Sequence, residues 1–301
     1  WTPMIFAALG VAVALKAGLF NIGISGQMLA AGFVSSVLIG YSSMPAPIAK
    51  PLVIIISIVV GGIVGALIGW LKYRFNINEV VSSIMFNYII QYVVAFLINT
   101  KYVDPVSRQS KNVSDAARLT LMNTQIGGYK FDIPLGIILA IIVAFVIRFI
   151  FNKTTFGYEL KAVGSNRKAA QYAGINVGKN MVMAMLISGA LAGLAGATYY
   201  LGYFCSMQPK VLAATGYDSI AVALLGNSNP IGILFSSFLV STIGKGSTYM
   251  SSTAGLDAEI ASVIAGLILL FSACGEFIKY KVKRAKDKMQ EEEKSNKGGK
   301  K

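Results

Sequence analysis

In the stretch NEVVSSIMFNYIIQY (78–92), Glu79, Ser83, Asn87 and Gln91 recur at every fourth residue. On a helix that interval sets the four side chains along one slowly drifting stripe. A polar stripe is costly against hydrocarbon, so it faces either a solute cavity or a neighbouring helix. Its chemistry is hydrogen bonding to a neutral polar group. A second cluster lies in GLFNIGISGQML (18–29), where Asn21 and Gln27 stand among Gly18, Gly23 and Gly26. Both amides must point into a bundle, and the glycines allow either close approach of a neighbour or a local break in the helix. Interhelical hydrogen bonding and a place on a translocation path both fit. The third candidate is Asp218 in GYDSIAVALLG. A carboxylate deep in a bilayer calls for a partner or a function, whereas one at the start of a short helix is stabilised by the helix dipole.

Other chemistries are excluded. The chain has no histidine, which removes imidazole acid–base catalysis and histidine metal sites. Its two cysteines, Cys205 and Cys274, are expected near opposite membrane faces and form no redox or metal cluster. The segment GKGS (244–247) lacks the earlier glycine and the Lys-Ser pair of a phosphate loop.

These groups are set in a chain that is 55% hydrophobic and 13% charged over 301 residues, half the charge of an ordinary soluble domain. Apolar windows at 17–40, 51–71, 80–98, 134–151, 181–204 and 258–278 approach or exceed the span of a bilayer core. The shorter segments 211–226 and 231–247 are interrupted by Asp218, Gly226, Pro230 and Gly244, and suit short spans or a re-entrant pair. We expect an all-α, polytopic integral membrane bundle with about eight to nine membrane segments. The chain opens on an apolar stretch that starts with Trp1, and a further helix or two is expected ahead of it.

The net charge of +14 is concentrated in three places: Lys72 and Arg74, the run from Lys153 to Lys179, and the tail from Lys279. Positive charge gathers on cytoplasmic loops, which puts these three inside and 41–50 and 99–133 outside. The expected organisation is a membrane domain over 1–279, an extracellular loop at 99–133, a cytoplasmic loop at 152–180, and a basic, disordered tail at 280–301. Gly61, Gly65 and Gly69 recur every fourth residue, as do Ser188, Ala192 and Gly196 beside Gly189, Gly193 and Ala197, a spacing that lets helix backbones touch. Within the inner loop, Ser165 or Asn166 can cap a short helix through Arg167, Lys168, Ala169, Ala170 and Gln171 that Gly174 would end. Such a helix can be a docking element or an ordinary basic surface.

The segments GLFNIGISGQM, NEVVSSIMFNYI, FGYELKAVGSNRKAAQYAGI, SGALAGLAGA and GYDSIAVALLGNSNPIG, in this order from about residue 16 to 275, resemble the permease subunits of bacterial ABC importers. The branch is that of the ribose and branched-chain amino-acid permeases, and within it LFNIG-x-x-GQ and NE-x-x-x-x-IM-x-NY look most similar to the nucleoside and simple-sugar permeases. The resemblance implies a non-enzymatic transport subunit of a bacterial cytoplasmic membrane that binds no cofactor itself. ATP and Mg would sit on a separate cytoplasmic ATPase. Further implied partners are a second related permease and an extracytoplasmic substrate-binding lipoprotein, with no role for nucleic acid. The family's coupling segment matches Gly164, Ser165, Asn166, Ala169, Ala170, Gly174 and Ile175, which would seat on the ATPase. Its polar membrane motifs match Asn21, Gln27, Asn78, Glu79, Asn87 and Tyr88. With Ser83, Gln91 and Asp218 from the reading above, these make the expected translocation path.

The implied function is ATP-driven nucleoside import. The alternatives are a ribose- or galactose-type sugar permease, or a carrier driven by a proton gradient with Asp218 as its coupling carboxylate. A channel is also compatible with the glycine-rich packing, but neither carrier nor channel accounts for the 156–180 loop.

Overall fold

The computed structural model describes residues 1–42, 44–126, 129–254 and, beyond these, single residues and short runs between 260 and 284. In chain order the elements are α1 (Thr2–Lys16), α2 (Ile24–Ser35, extended by a π-helical turn Ser36–Gly40), α3 (Ala46–Phe75), α4 (Glu79–Leu97, extended by Ile98–Tyr102), β1 (Thr120–Ile126), β2 (Tyr129–Pro134), α5 (Gly136–Lys153), α6 (Thr155–Ser165), α7 (Arg167–Tyr172), α8 (Val177–Gly196, extended by Ala197–Phe204), α9 (Ala214–Leu225) and α10 (Pro230–Ala254). The chain divides into two compact units, Trp1–Ser241 and Thr242–Lys301. The expected span at 258–278 falls largely outside the described residues, and so do Cys274 and most of the tail.

Among the described residues four helices are long and apolar enough to cross a membrane: Ala46–Phe75, Glu79–Tyr102, Gly136–Lys153 and Val177–Phe204. Three shorter apolar helices, Thr2–Lys16, Ile24–Gly40 and Ala214–Leu225, join them. The expected window 17–40 therefore becomes a helix only from Ile24. Gly18 sits at φ +67° and the chain leaves the helical path from Ala17 to Gly23. A left-handed residue of this kind ends α1 and lets α2 set off in a new direction.

The bundle is helical as expected, and one connection adds a short hairpin. Within the loop 99–133, β1 and β2 pair antiparallel, with Gln125 opposite Lys130 and Ile126 opposite Tyr129.

In the first unit α8 is the central packing element. It meets α3 along a seam of glycines: a Cβ added to Gly65 would collide with the Met185 carbonyl and lie 2.9 Å from the Gly189 Cα, and one on Gly193 would collide with the Ser57 carbonyl. Two backbones in van der Waals contact gain dispersion energy that lipid cannot match, as the four-residue spacing predicts. Gly196 turns the same economy of space toward α2, against the Met28 carbonyl. Helix α1 is apolar on every side and buried from Met4 to Ala14, as a helix surrounded by others must be.

At the end of the bundle where α2, α4 and α8 become π-helical, the chain from Val103 to Leu119 is hydrogen-bonded across them. Ser114 N–H donates to Gly40 O (2.8 Å), Val113 N–H to Cys205 O (3.0 Å), Ser110 N–H to Met207 O (2.9 Å), and Thr120 Oγ1 to Gly202 O (3.0 Å). These bonds stitch the connection to backbone carbonyls at the ends of α2 and α8.

Candidate translocation site and coupling element

The break at 17–23 carries Asn21 into the interior, where its carboxamide is fully used. Asn21 Nδ2 donates to Gln27 Oε1 (3.1 Å) and to Ser188 Oγ on α8 (2.9 Å), and Oδ1 accepts Gly23 N–H (2.9 Å). Asn21, Gln27 and Ser188 are all buried without access to solvent. Buried amides that bond one another cross-link helices at a low local dielectric.

Asn87 is the second node. Gly23 begins α2 without a side chain to cap it, so the N–H groups of its first turn lack local partners. Asn87 Oδ1 reaches across from α4 and accepts Gly26 N–H (2.9 Å), while its Nδ2 donates to Ile22 O (3.1 Å) and lies 3.4 Å from the Tyr217 hydroxyl on α9. Ser83, one turn earlier, is buried and turns its hydroxyl back to Val80 O. Ser25 donates to Ala213 O at the start of α9 (2.9 Å).

The remaining predicted residues are placed elsewhere. Asn78 caps α4 by accepting Val80 N–H, and Glu79 pairs with Lys72 at 3.0 Å across the α3–α4 turn. Gln91 donates to Lys210 O (2.6 Å). Tyr88 is 53% exposed, and Tyr217 (44%) and Asp218 stand exposed together on α9. The nine residues expected on a path thus divide into three groups. Asn21, Gln27 and Asn87 are interior cross-links with Ser83 buried beside them, Asn78 and Glu79 belong to a turn, and Tyr88, Gln91 and Asp218 remain at or near the surface of the chain. Tyr217 and Ser188 were not singled out from the sequence. The signal for Tyr217 is its neighbour Asp218, and Ser188 stands in the sequence only as a small residue at four-residue spacing.

The loop expected to dock a partner is built of two helices, not one. Thr154 caps α6 through Gly157 N–H (3.1 Å), and Asn166 breaks the helix and caps α7 through Ala169 N–H (3.1 Å). Gly174 lies at φ +80°, with its N–H on Gln171 O and the Ile175 N–H on Ala170 O, both 3.0 Å. That pair of bonds is the Schellman termination that a left-handed glycine permits. Ser165, Asn166, Lys168, Ala169 and Gly174 are exposed, Ala170 is buried, and Gly164 is drawn inward. Asn180 at the start of α8 donates to Glu159 Oε2 (2.7 Å) and so fastens α6 to α8.

Residues 1–273 match the protein family described as "Branched-chain amino acid transport system / permease component". The chain belongs to this permease family. The permease is 38% identical, over 95% of its own length and 82% of the relative's, to the guanosine ABC transporter permease protein NupP of Bacillus subtilis. It is 37% identical to the nucleoside ABC transporter permease protein NupB of Lactococcus lactis subsp. cremoris, over 94% of this chain and 80% of the relative. A second nucleoside permease protein of that organism, NupC, is 29% identical over 79% of this chain and 76% of its own. No solved structure matches the permease. The permease is a transport component and not an enzyme. The motifs that carried the resemblance are the ones that form the interhelical network, the α3–α8 seam and the α6–α7 element.

Proposed function

We propose that this permease moves nucleosides across a bacterial cytoplasmic membrane as one of two related permease subunits of an ABC importer. The observation that carries the reading is the similarity, along almost the whole chain, to permeases named for guanosine and for nucleosides. Energy comes from a separate ATPase that holds ATP and Mg and seats on Gly164, Ser165, Asn166, Ala169, Ala170, Gly174 and Ile175, while an extracytoplasmic binding lipoprotein delivers the solute. Occurrence of NupB and NupC in one organism supports the pairing with a second permease. Within this chain the membrane domain has about eight to nine segments, with 99–133 outside and 152–180 inside.

The surface of α4 and α9 supports a place for the solute. Tyr88, Tyr217 and Asp218 are exposed on helices read as membrane-embedded, and Asp218 and the tyrosine hydroxyls are costly against lipid. A second permease subunit would cover this face and leave a polar passage. Tyrosine rings offer faces on which a base stacks, and a carboxylate accepts hydrogen bonds from a ribose diol. Such contacts are weak and replaceable, as release on the far side requires, and selection is left to the binding protein.

The test is uptake of labelled uridine, guanosine and ribose in source cells with and without the gene, each with and without a protonophore while cellular ATP is maintained. Gene-dependent nucleoside uptake that resists the protonophore is expected. Loss of ribose uptake alone would make it a sugar permease, and collapse with the proton gradient would overturn the ATP-driven reading.

A further inference from the structure

The α6–α7 element meets the end of α1 backbone to backbone, with no side-chain slack. An added Cβ on Gly164 would collide with the Lys16 carbonyl at the end of α1 and lie 3.0 Å from the Gly18 amide nitrogen; one on Gly18 would lie 3.1 Å from the Gly164 Cα. Beside this backbone contact, Arg167 Nη2 at the first residue of α7 donates to Gly18 O at 3.0 Å. Gly18 lies in the non-helical break, three residues before Asn21, and Asn21 is bonded to Ser188 and Gln27. The same break supplies the Ile22 carbonyl that holds Asn87, whose amide also meets Tyr217.

We propose that Arg167 is a positioning residue that carries displacement of α7 into the 17–23 break, and through the Asn21 and Asn87 bonds to the α4–α9 face. This rests on the reading of α7 as the seat of the ATPase. The guanidinium is suited to the task because its bond to a carbonyl is charge-assisted, and the flanking glycine contact resists compression while the bond resists separation. The break is the part of α1–α2 that can absorb changes of φ and ψ, since the helices on both sides are held by their own hydrogen bonds.

The test uses the complete importer in proteoliposomes, comparing wild type with Arg167→Met and Arg167→Lys for ATPase copurification, ATP hydrolysis and guanosine uptake. Arg167→Met is expected to keep the ATPase bound and hydrolysing while guanosine moved per ATP falls about 10-fold, the size of one charge-assisted hydrogen bond, with Arg167→Lys in between. An unchanged ratio in Arg167→Met overturns the proposal. So does loss of ATPase copurification, which would make Arg167 part of the docking surface instead. A wild-type complex that moves no guanosine overturns the functional reading itself, and the role of Arg167 falls with it.

Discussion

Asn87 caps a helix to which it does not belong: its Oδ1 accepts the N–H of Gly26 in the first turn of α2, 61 residues away in sequence. The capping oxygen that α2 lacks at Gly23 is supplied from α4, so the start of α2 is defined only when the two helices meet. Asn87→Leu should therefore leave a buried N–H and the Ile22 carbonyl unpaired, a cost of about 1–3 kcal/mol each. The expected result is a lower thermal midpoint of the purified importer in detergent together with reduced uptake. An unchanged midpoint would mean that water replaces the carboxamide.

The glycine seam predicts a sharp contrast between neighbours. Gly65→Ala puts a methyl group into the Met185 carbonyl, whereas the space beside Gly62 is ordinary, with its nearest atom 3.6 Å away. Gly65→Ala should destabilise the protein by about 1–3 kcal/mol. Gly62→Ala should be neutral or slightly stabilising. The fraction that stays monodisperse after graded heating separates the two.

Substitutions at the exposed face should act on transport and spare assembly. Tyr88→Ala and Asp218→Asn are each expected to lower guanosine uptake about 10-fold, the scale of one stacked base or one hydrogen bond to charge, with normal membrane levels. Asn21→Leu, by contrast, should lower the amount of folded protein first. If all three variants lose protein together, the division between interior cross-links and a solute face is wrong.

Gly174 has nothing within 4 Å of an added Cβ, so only its φ of +80° restricts replacement. Gly174→Ala should cost about 1 kcal/mol and loosen the end of α7, with Gly174→Asn milder because Asn tolerates the left-handed region. Copurification of the ATPase should rank glycine above asparagine above alanine. Gly174→Glu should abolish uptake by adding bulk and charge to the docking surface.

Asp104 gives a pH dependence with a defined sign. The Ser107 hydroxyl and then the Val106 N–H bond its carboxylate and hold its pKa below the ordinary 3.8. A depressed carboxylate pKa contributes stability that is present above 3.8 and is lost as pH falls through the folded value, which lies lower. Hydrogen-exchange protection of the Val106 amide should thus be flat from about pH 5 to 8. It should fall only in stronger acid, and Asp104→Asn should weaken it at every pH.

Sequence periodicity carried the fold further than it carried the site. The four-residue spacing of Gly61, Gly65 and Gly69 anticipates a backbone-to-backbone seam because small size at that interval has few other uses. The stripe Glu79, Ser83, Asn87, Gln91 was equally legible as one side of a helix, yet its members reach Lys72, Val80, Gly26 and Lys210 respectively. Period fixes a direction around a helix axis and says nothing of what stands in that direction. The break at Gly18 was visible as a cluster of glycines, but its contact with Gly164 spans nearly half the chain and has no local signature. The two-helix form of the 152–180 loop was half visible. Asn166 reads as a cap for α7, while α6, the helix it terminates, has only Thr154 to announce it.

The contact between α3 and α8 also sets how this protein can deform. With carbonyls occupying the places where side chains would stand, neither helix can rotate or slide on the other without first separating. The two act as one stiff beam, and α6, fastened to its end by Asn180, is carried with it. A rearrangement that leaves that beam intact has the seven non-helical residues from Ala17 to Gly23 as a place to bend. A spin-label pair across α3 and α8 should report a constant distance throughout the ATP cycle, while a pair reporting on α2 against α1 should not.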